Sequence, residues 1–369
     1  MNFDFSADQE SLRQTARGFL EAHASLRVCR AVLESDQPYS RELWKRVAAL
    51  GWLGASIPEE HGGAGMGYLE LAVLAEEMGR ALAPIPFSSS VYLATEALLL
   101  SGSPEQKRKY LPRLAAGEAI GALALVEGVG QRGVANVATR FADGVLTGTK
   151  LPVLDGAAAD FAIVSARDQG GVSLVLVDLH ADGVEVEALR SFDPSRPLAR
   201  LSFTETHGEL LGAPGQGVPL VEELFDRAAV LLAFEQLGGA CRAFEITRAF
   251  TVERYAFGRP IASFQAIKHR LADVWCHIEL ARSNCYYGAW ALSNNDVELG
   301  VASGIAHIAA SDAFTRTAEE MMQMHGGIGY TWEYDCHLFY RRAKLLSAVL
   351  GTPSSWKHKL IDRLRAGRA

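Results

Sequence analysis

The chain has 369 residues, 49% of them hydrophobic and 21% charged, with a formal net charge of −7. That length can bury two or three packed units, and the composition is that of an ordinary globular protein. The acidic balance leaves no electrostatic footprint for nucleic acid, and no uncharged apolar run is long enough to span a membrane or serve as a signal segment.

Residues 1–118 read as helical. Ser6 with Gln9 has the spacing of a capping box, as does Ser103 with Gln106, where Pro104 takes the first helical position. Between them, YLELAVLAEEMGRALA carries apolar residues at helical spacing, and Pro84 and Pro86 punctuate the region. Residues 119–212 change period. IGALALV, GVLTGTKLPVLDG, DFAIVSA, GVSLVLVDL, GVEVEAL and ARLSFTE are short apolar or alternating runs separated by Gly, Asp and Pro. They predict strands and turns, with no helix long enough for parallel crossovers, hence a small β-barrel or sandwich. Residues 213–369 return to helix, with long helices predicted over 219–256, 263–293, 296–325 and 335–350. A shorter one follows from Pro353, with Thr352 as N-cap. Long helices on short loops predict an antiparallel bundle. The fold class is α+β: helical N-terminal domain, middle β-domain, C-terminal bundle.

Gly128, Gly130 and Gly133 spell G-x-G-x-x-G directly after the strand-like IGALALV. Alone this is a dinucleotide fingerprint, but the following VANVATRF is too short for the crossover helix that a nucleotide-binding βαβ unit requires. The glycines are expected to shape a loop. The five cysteines (Cys29, Cys241, Cys276, Cys285, Cys336) lack metal-ligand spacing and read as buried thiols of a reducing compartment. No metal site is expected, and a cytoplasmic location is.

The most informative stretches are RYAFGRPIASFQ, from Arg254 to Gln265, and QMHGGIGY, from Gln323 to Tyr330. Arg254 has the fork to grip a phosphate oxygen pair. Gln265 and Gln323 each offer an amide donor and acceptor, and Gly326 and Gly327 permit close backbone approach. The bland reading is a helix-end charge and a glycine C-cap. Two such motifs in order, each behind a long helical pattern, weigh against it. Together they resemble the acyl-CoA dehydrogenase family of flavoproteins, with its R-x-x-F-G-x-x-I-x-x-F-Q and Q-x-x-G-G-x-G-Y runs. SADQESLRQTARGFL, the run from Gly51 to Ala83, and SPEQKRKYLPRLAAGE resemble further family landmarks, so the likeness spans the chain. It implies a β-barrel at 119–212 and FAD as cofactor, its ADP half held by Arg254, Phe257, Gln265, Gln323, Gly326, Gly327 and Thr352 across a subunit interface.

The activity implied by the resemblance is α,β-dehydrogenation of an acyl-CoA thioester, in which a carboxylate takes the α-proton and the flavin takes the hydride. Here the chain departs from its family. The family's Y-E-G-T run is Val349-Leu350-Gly351-Thr352, so the usual base position holds Leu350. The alternative base position, just before an Arg on the first bundle helix, falls on Ala228, and the Arg position falls on Ala229. Ring-side runs are worn as well. T-E-P-x-x-G-S-D becomes the segment from Val126 to Gly133, with Arg132 at a hydroxyl position. W-I-T-N-G becomes Pro152-Val153-Leu154-Asp155-Gly156.

Substitute bases are Glu235, two turns (roughly 11 Å) beyond Ala228 on one helix face, Asp226, whose early helix position suits an acid for the dipole alone, and Glu127. His269 and His325 read as structural hydrogen-bonders, and Arg341, Arg342 and Lys344 as either a solvated face or a contact for a CoA phosphate or a flavin-side subunit. The catalytic residue is left open. So is the assembly: a homo-oligomer with a relocated base, or one subunit of a heteromeric acyl-CoA dehydrogenase for bulky or dicarboxylic acyl groups. Other flavin chemistry on the fold (acyl-carrier-protein or nitroalkane oxidation, monooxygenation) and a non-catalytic, cofactor-completing or flavin-free structural role remain alternatives.

Overall fold

The computed structural model describes residues 5–128, 130–131 and 133–367. By contact density the chain forms two compact units. One comprises Met1–Arg30, Tyr68–Ala83 and Ala229–Ala369; the other comprises Ala31–Gly67 and Pro84–Ala228. The helix-to-strand switches lie between Ala115 and Gly121 and between Leu211 and Gly217.

Helices of the chain, in order, are α1 (Ala7–His23), α2 (Leu26–Leu33), α3 (Arg41–Ala49), α4 (Tyr68–Arg80), α5 (Glu96–Ser101), α6 (Pro104–Ala115), α7 (Gly217–Glu253), α8 (Gln265–Ser293), α9 (Leu299–His325), α10 (Cys336–Leu346) and α11 (Pro353–Ala366). The local signals hold. Ser6 and Ser103 each form a full capping box with Gln9 and Gln106, and Thr352 caps α11 through Ser355 N at 3.2 Å.

In the first unit α1 is tied to α4 by ion pairs, Arg13 to Glu76 at 2.6 Å and Arg17 to Glu77 at 2.8 Å. The crossing of α4 and α7 is a reciprocal glycine contact. A Cβ on Gly79 would overlap the Glu235 carbonyl, and one on Gly238 would overlap the Glu76 carbonyl. Any side chain there forces the backbones apart, at a cost of about 1–3 kcal/mol or more. Helix α9 buries small residues, Ala302, Ser303, Gly304, Ala306 and Ala310 among them, so α8, α10 and α11 can pack closely around it. Trp356 of α11 lies against His307 of α9, ring centroids 5.1 Å apart.

The second unit is built on a sheet. Its strands are β1 (Gly121–Ala124), β2 (Arg140–Ala142), β3 (Val145–Leu154), β4 (Phe161–Asp168), β5 (Gly171–Asp178), β6 (Val184–Leu189), β7 (Leu198–His207) and β8 (Glu209–Leu211). They run in the order β6-β7-β3-β2-β4-β5-β8, with β1 beside β4. The β2–β3 hairpin turns on Asp143-Gly144, both at positive φ (52° and 78°), as a two-residue Asp-Gly turn demands. Most pairs are antiparallel, but β1–β4 and β2–β4 are parallel. Among the described residues no helix lies between β1 and β8, as the sequence predicts; strands, not a helix, make the crossovers of these parallel pairs. The hydrogen-bonded path begins at β6 and ends at β8 rather than closing. Strands β4 and β5 are buried on both faces, while β6 is a largely exposed edge.

One feature was absent from the sequence reading. Ser88–Thr95 is a π-helix, and all eight residues are buried. It packs against β1 so closely that a Cβ on Gly121 would overlap Ala94. Its serines are held by a buried ion pair: Arg196 donates to Asp155 at 2.6 and 3.0 Å and to Ser88 Oγ at 2.7 Å, and Ser89 donates to the same carboxylate.

Candidate cofactor and active site

The bundle brings the two sequence motifs to one end. Helix α7 ends at Glu253, and the Arg254 N–H bonds back to Phe250 O at 2.8 Å. A hairpin follows, β9 (Tyr255–Ala256) and β10 (Arg259–Pro260), with Phe257 and Gly258 at its turn, both at positive φ (53° and 79°). Glycine adopts this conformation readily; phenylalanine does not. Phe257 is also 95% exposed. A bulky residue that is both strained and solvent-facing marks a contact surface. The chain re-enters helix at Gln265, where Phe264 supplies no side-chain cap, so the first N–H groups of α8 remain open to an anion.

Helix α9 returns to the same end. Arg270 of α8 pairs with Glu320 of α9 at 3.0 Å, and the His325 ring stacks on Phe250 at 4.1 Å. Gly326 then ends α9 at φ 61°, ψ −142°, its N–H on Gln323 O. A Cβ on Gly326 or on Gly327 would meet nothing within 4 Å. These glycines are therefore open to a ligand rather than pressed against the fold. Arg254, Gln265, Gln323, Gly326 and Gly327 are all exposed. A fork cation, two amides, bare backbone and an uncapped helix start suit a pyrophosphate-bearing group, and they fit the ADP half of FAD. Thr352 differs, because its Oγ1 already serves as an N-cap acceptor.

The candidate base positions are apolar and buried. Leu350 is 4% exposed and Ala228 1%; Ala229, at the neighbouring Arg position, is 0% exposed. Glu235 and Asp226 are buried on α7. Glu127 is engaged elsewhere. It accepts from Lys150 Nζ at 2.8 Å and from the N–H groups of Ala138 and Thr139 at 2.6 and 2.8 Å. Burial would raise its carboxyl, but these donors outweigh that and hold it down near 2. It is a structural anion, not a proton acceptor. Lys150 is itself wholly buried, and burial lowers it to about 8 against the pull of Glu127.

The ring-side segments are occupied by internal contacts. Asp155 is committed to Arg196, and Pro152 is exposed. No helix follows the glycine triad among the described residues, which disposes of the dinucleotide fingerprint. Val129 and Arg132 lie outside the described residues.

His325 Nδ1 donates to Met321 O (2.7 Å), and burial lowers its pKa, so it is a neutral structural ring. His269 is exposed on α8. The basic run of α10 is not a single face. Arg342 is buried and points to the carbonyls of Leu82 and Ala83, whereas Lys344 pairs with Glu319. Cys276 is exposed, against the expectation that every thiol is buried. No helix among the described residues is long and apolar enough to cross a membrane.

Comparison with known proteins agrees with this geometry. The N-terminal domain of acyl-CoA dehydrogenases matches residues 6–118, and their C-terminal domain matches residues 215–358. Acyl-CoA dehydrogenase IpdE2 of Mycobacterium tuberculosis is 34% identical over 347 residues, covering 94% of both chains. A solved structure described as the Tcur3481-Tcur3483 steroid ACAD superposes with a TM-score of 0.89 at 31% identity, covering 98% of both chains. The ChsE4-ChsE5 complex from Mycobacterium tuberculosis gives a TM-score of 0.90 at 26% identity, covering 99% of both chains. The chain belongs to the acyl-CoA dehydrogenase family, the FAD-dependent oxidoreductases of acyl-CoA metabolism.

Proposed function

We propose that this chain is one subunit of a heteromeric acyl-CoA dehydrogenase acting on a bulky acyl-CoA, and that it completes the FAD site of a partner chain that carries the catalytic base. The observation that carries the reading is a contrast. The positions suited to the ADP half of FAD are exposed and intact, while both positions where the family places its base are buried aliphatic side chains. FAD, when bound, supplies the hydride acceptor. Arg254, Gln265, Gln323, Gly326 and Gly327 would bind and orient its phosphates, and Phe257 would pack beside them. Neither Leu350 nor Ala228 can hold or move a proton. Two of the similar structures carry two-chain names, and one of those is called a steroid enzyme. These names support the heteromeric reading and the bulky substrate.

The test is isolation from the native source with affinity-tagged chain. The expected result is a flavin-bearing complex with a second acyl-CoA dehydrogenase chain that reduces its flavin with a bulky acyl-CoA, while the tagged chain alone does not. Rapid flavin reduction by a homo-oligomer would overturn the proposal. It would favour a second reading, a self-sufficient enzyme with Glu235 or Asp226 as base, for which both buried acids on α7 are the motive.

A further inference from the structure

We propose that a cavity of about 470 Å³ in the unit containing α1, α4, α8 and most of α7 is a binding site for a phosphoryl dianion, separate from the motif end of the bundle. Its volume lies in the range of small-ligand sites. Four guanidinium groups line it, from Arg13 and Arg17 of α1, Arg80 of α4 and Arg282 of α8. Beneath them sit only two buried carboxylates. Glu76 takes Arg13 at 2.6 Å and Arg282 at 3.3 Å. Glu77 takes Arg17 at 2.8 Å and lies 3.6 and 3.7 Å from Arg13 and Arg80.

The four guanidiniums are otherwise paired with more exposed carboxylates, Glu10 and Glu245 at the cavity and Glu279 beside Arg282. The side chains of Glu10, Glu245 and Glu279 are 50%, 43% and 44% exposed. The pairs of Glu10 and Glu279 contribute about 0–1 kcal/mol, whereas Glu245 grips Arg80 with two bonds, at 2.9 and 2.8 Å, and is the competitor an anion must displace. Arg282 points a further N–H group at Cys241 Sγ, 3.2 Å away. A thiol is a weak acceptor, and an anionic oxygen in its place makes a stronger, charge-assisted bond. Guanidinium forks match the oxygens of a phosphoryl group. The walls are aromatic, with Phe5 edge-on to Tyr286 at 5.0 Å and Trp275 partly exposed. The same phosphoryl chemistry is offered by free phosphate and by a mononucleotide, whose base would use those rings.

The experiment titrates the oligomer as purified with inorganic phosphate and with AMP at constant ionic strength, by calorimetry and by thermal unfolding. Glu245→Gln separates a ligand site from a purely internal ion-pair lattice. At a ligand site it removes a competitor for Arg80 and tightens phosphate by about two- to fivefold, whereas in a lattice it only lowers the unfolding temperature. Arg17→Gln, at the cavity edge, is expected to weaken phosphate about tenfold or more. Should that variant not fold, the Glu245→Gln titration decides alone. AMP binding tighter than phosphate assigns the nucleotide source, and equal or weaker binding assigns free phosphate. Absence of binding to the wild type, or binding that Glu245→Gln leaves unchanged or weakens, overturns the site.

Discussion

The motif end of the bundle and the ring-side segments of the sheet unit are opposites in how they spend their polar groups. At the bundle end, Arg254, Gln265 and Gln323 face solvent, Gly326 and Gly327 front open space, and Phe257 holds a strained, exposed conformation. In the sheet unit, Asp155 and Glu127 are consumed by Arg196 and Lys150. Exposed Arg and Gln side chains are ordinary on a surface; what stands out is Phe257, a bulky apolar residue at positive φ and 95% exposed beside them. Asp155 and Glu127, by contrast, have their hydrogen-bonding capacity taken up inside the fold.

The largest effect that probes this contrast is on rate. A positioned general base contributes about 10²–10⁴-fold, so the isolated chain should be slower than its complex by at least that factor. Leu350→Glu should not close the gap, because the ring-side segments are spent as well. Stopped-flow flavin reduction measures both. Recovery of turnover in the isolated variant would break the contrast and show the ring side to be whole. Next comes Asp155→Asn. Side chains of Asp155 and Arg196 are each 1% exposed, and stranding a buried partner costs about 3–5 kcal/mol. Chemical denaturation should show that loss, and Asp155→Asn with Arg196→Met should recover most of it. If neither variant shifts the midpoint, the pair is not the internal clamp described.

What the sequence disclosed follows from how local each signal is. The capping boxes at Ser6 and Ser103 are decided within four residues, and they read correctly. The strands of the sheet and the long helices of the bundle were legible from period. The π-helix was not. Ser88-Ser89-Ser90 looks like a polar turn, and its burial depends on Asp155 and Arg196, far along the chain. Arg342 likewise read as surface until its carbonyl partners at Leu82 and Ala83 were in place. For the candidate site, residue types and order were legible, and exposure was not. The stacking of His325 on Phe250 and the Arg270–Glu320 pair show that Arg254 and Gly326 share one end.

Acid should loosen the bundle through His307. His307 is fully buried, neither ring nitrogen has a hydrogen-bond partner, and burial lowers its pKa from 6.5 to about 4. The unfolded chain therefore binds this proton more readily than the folded one. The contribution is complete above pH 6.5 and is lost as pH falls toward 4, by roughly 3 kcal/mol. Denaturation midpoints of wild type and His307→Phe between these pH values should diverge. Parallel curves would show that the ring titrates normally. Arg254→Ala acts only at the exposed end. Loss of a charge-assisted contact of about 1.5–3 kcal/mol should weaken flavin retention by the complex tenfold or more, with the unfolding temperature of the apo-chain unchanged. Unaltered flavin content in the intact complex would remove Arg254 from the site.

Thr352 sharpens the boundary between the two kinds of residue, because the family resemblance places it with the cofactor and the structure gives it another task. Its hydroxyl accepts the Ser355 N–H at 3.2 Å, and Pro353 follows as the first residue of α11. Replacing such a cap by alanine typically costs about 0.5–2 kcal/mol. A hydroxyl that accepts still has its proton to donate, so capping and ligand contact are not exclusive on chemical grounds. Conformation separates them. If the hydroxyl serves only the helix, Thr352→Ala lowers the denaturation midpoint by that modest amount and leaves flavin retention as in wild type, while Thr352→Ser restores stability. We expect this outcome, since the oxygen already has a partner and the bundle end at Arg254 and Gly326 fits the phosphates without it. Flavin loss in the alanine variant at unchanged stability would instead return Thr352 to the cofactor site.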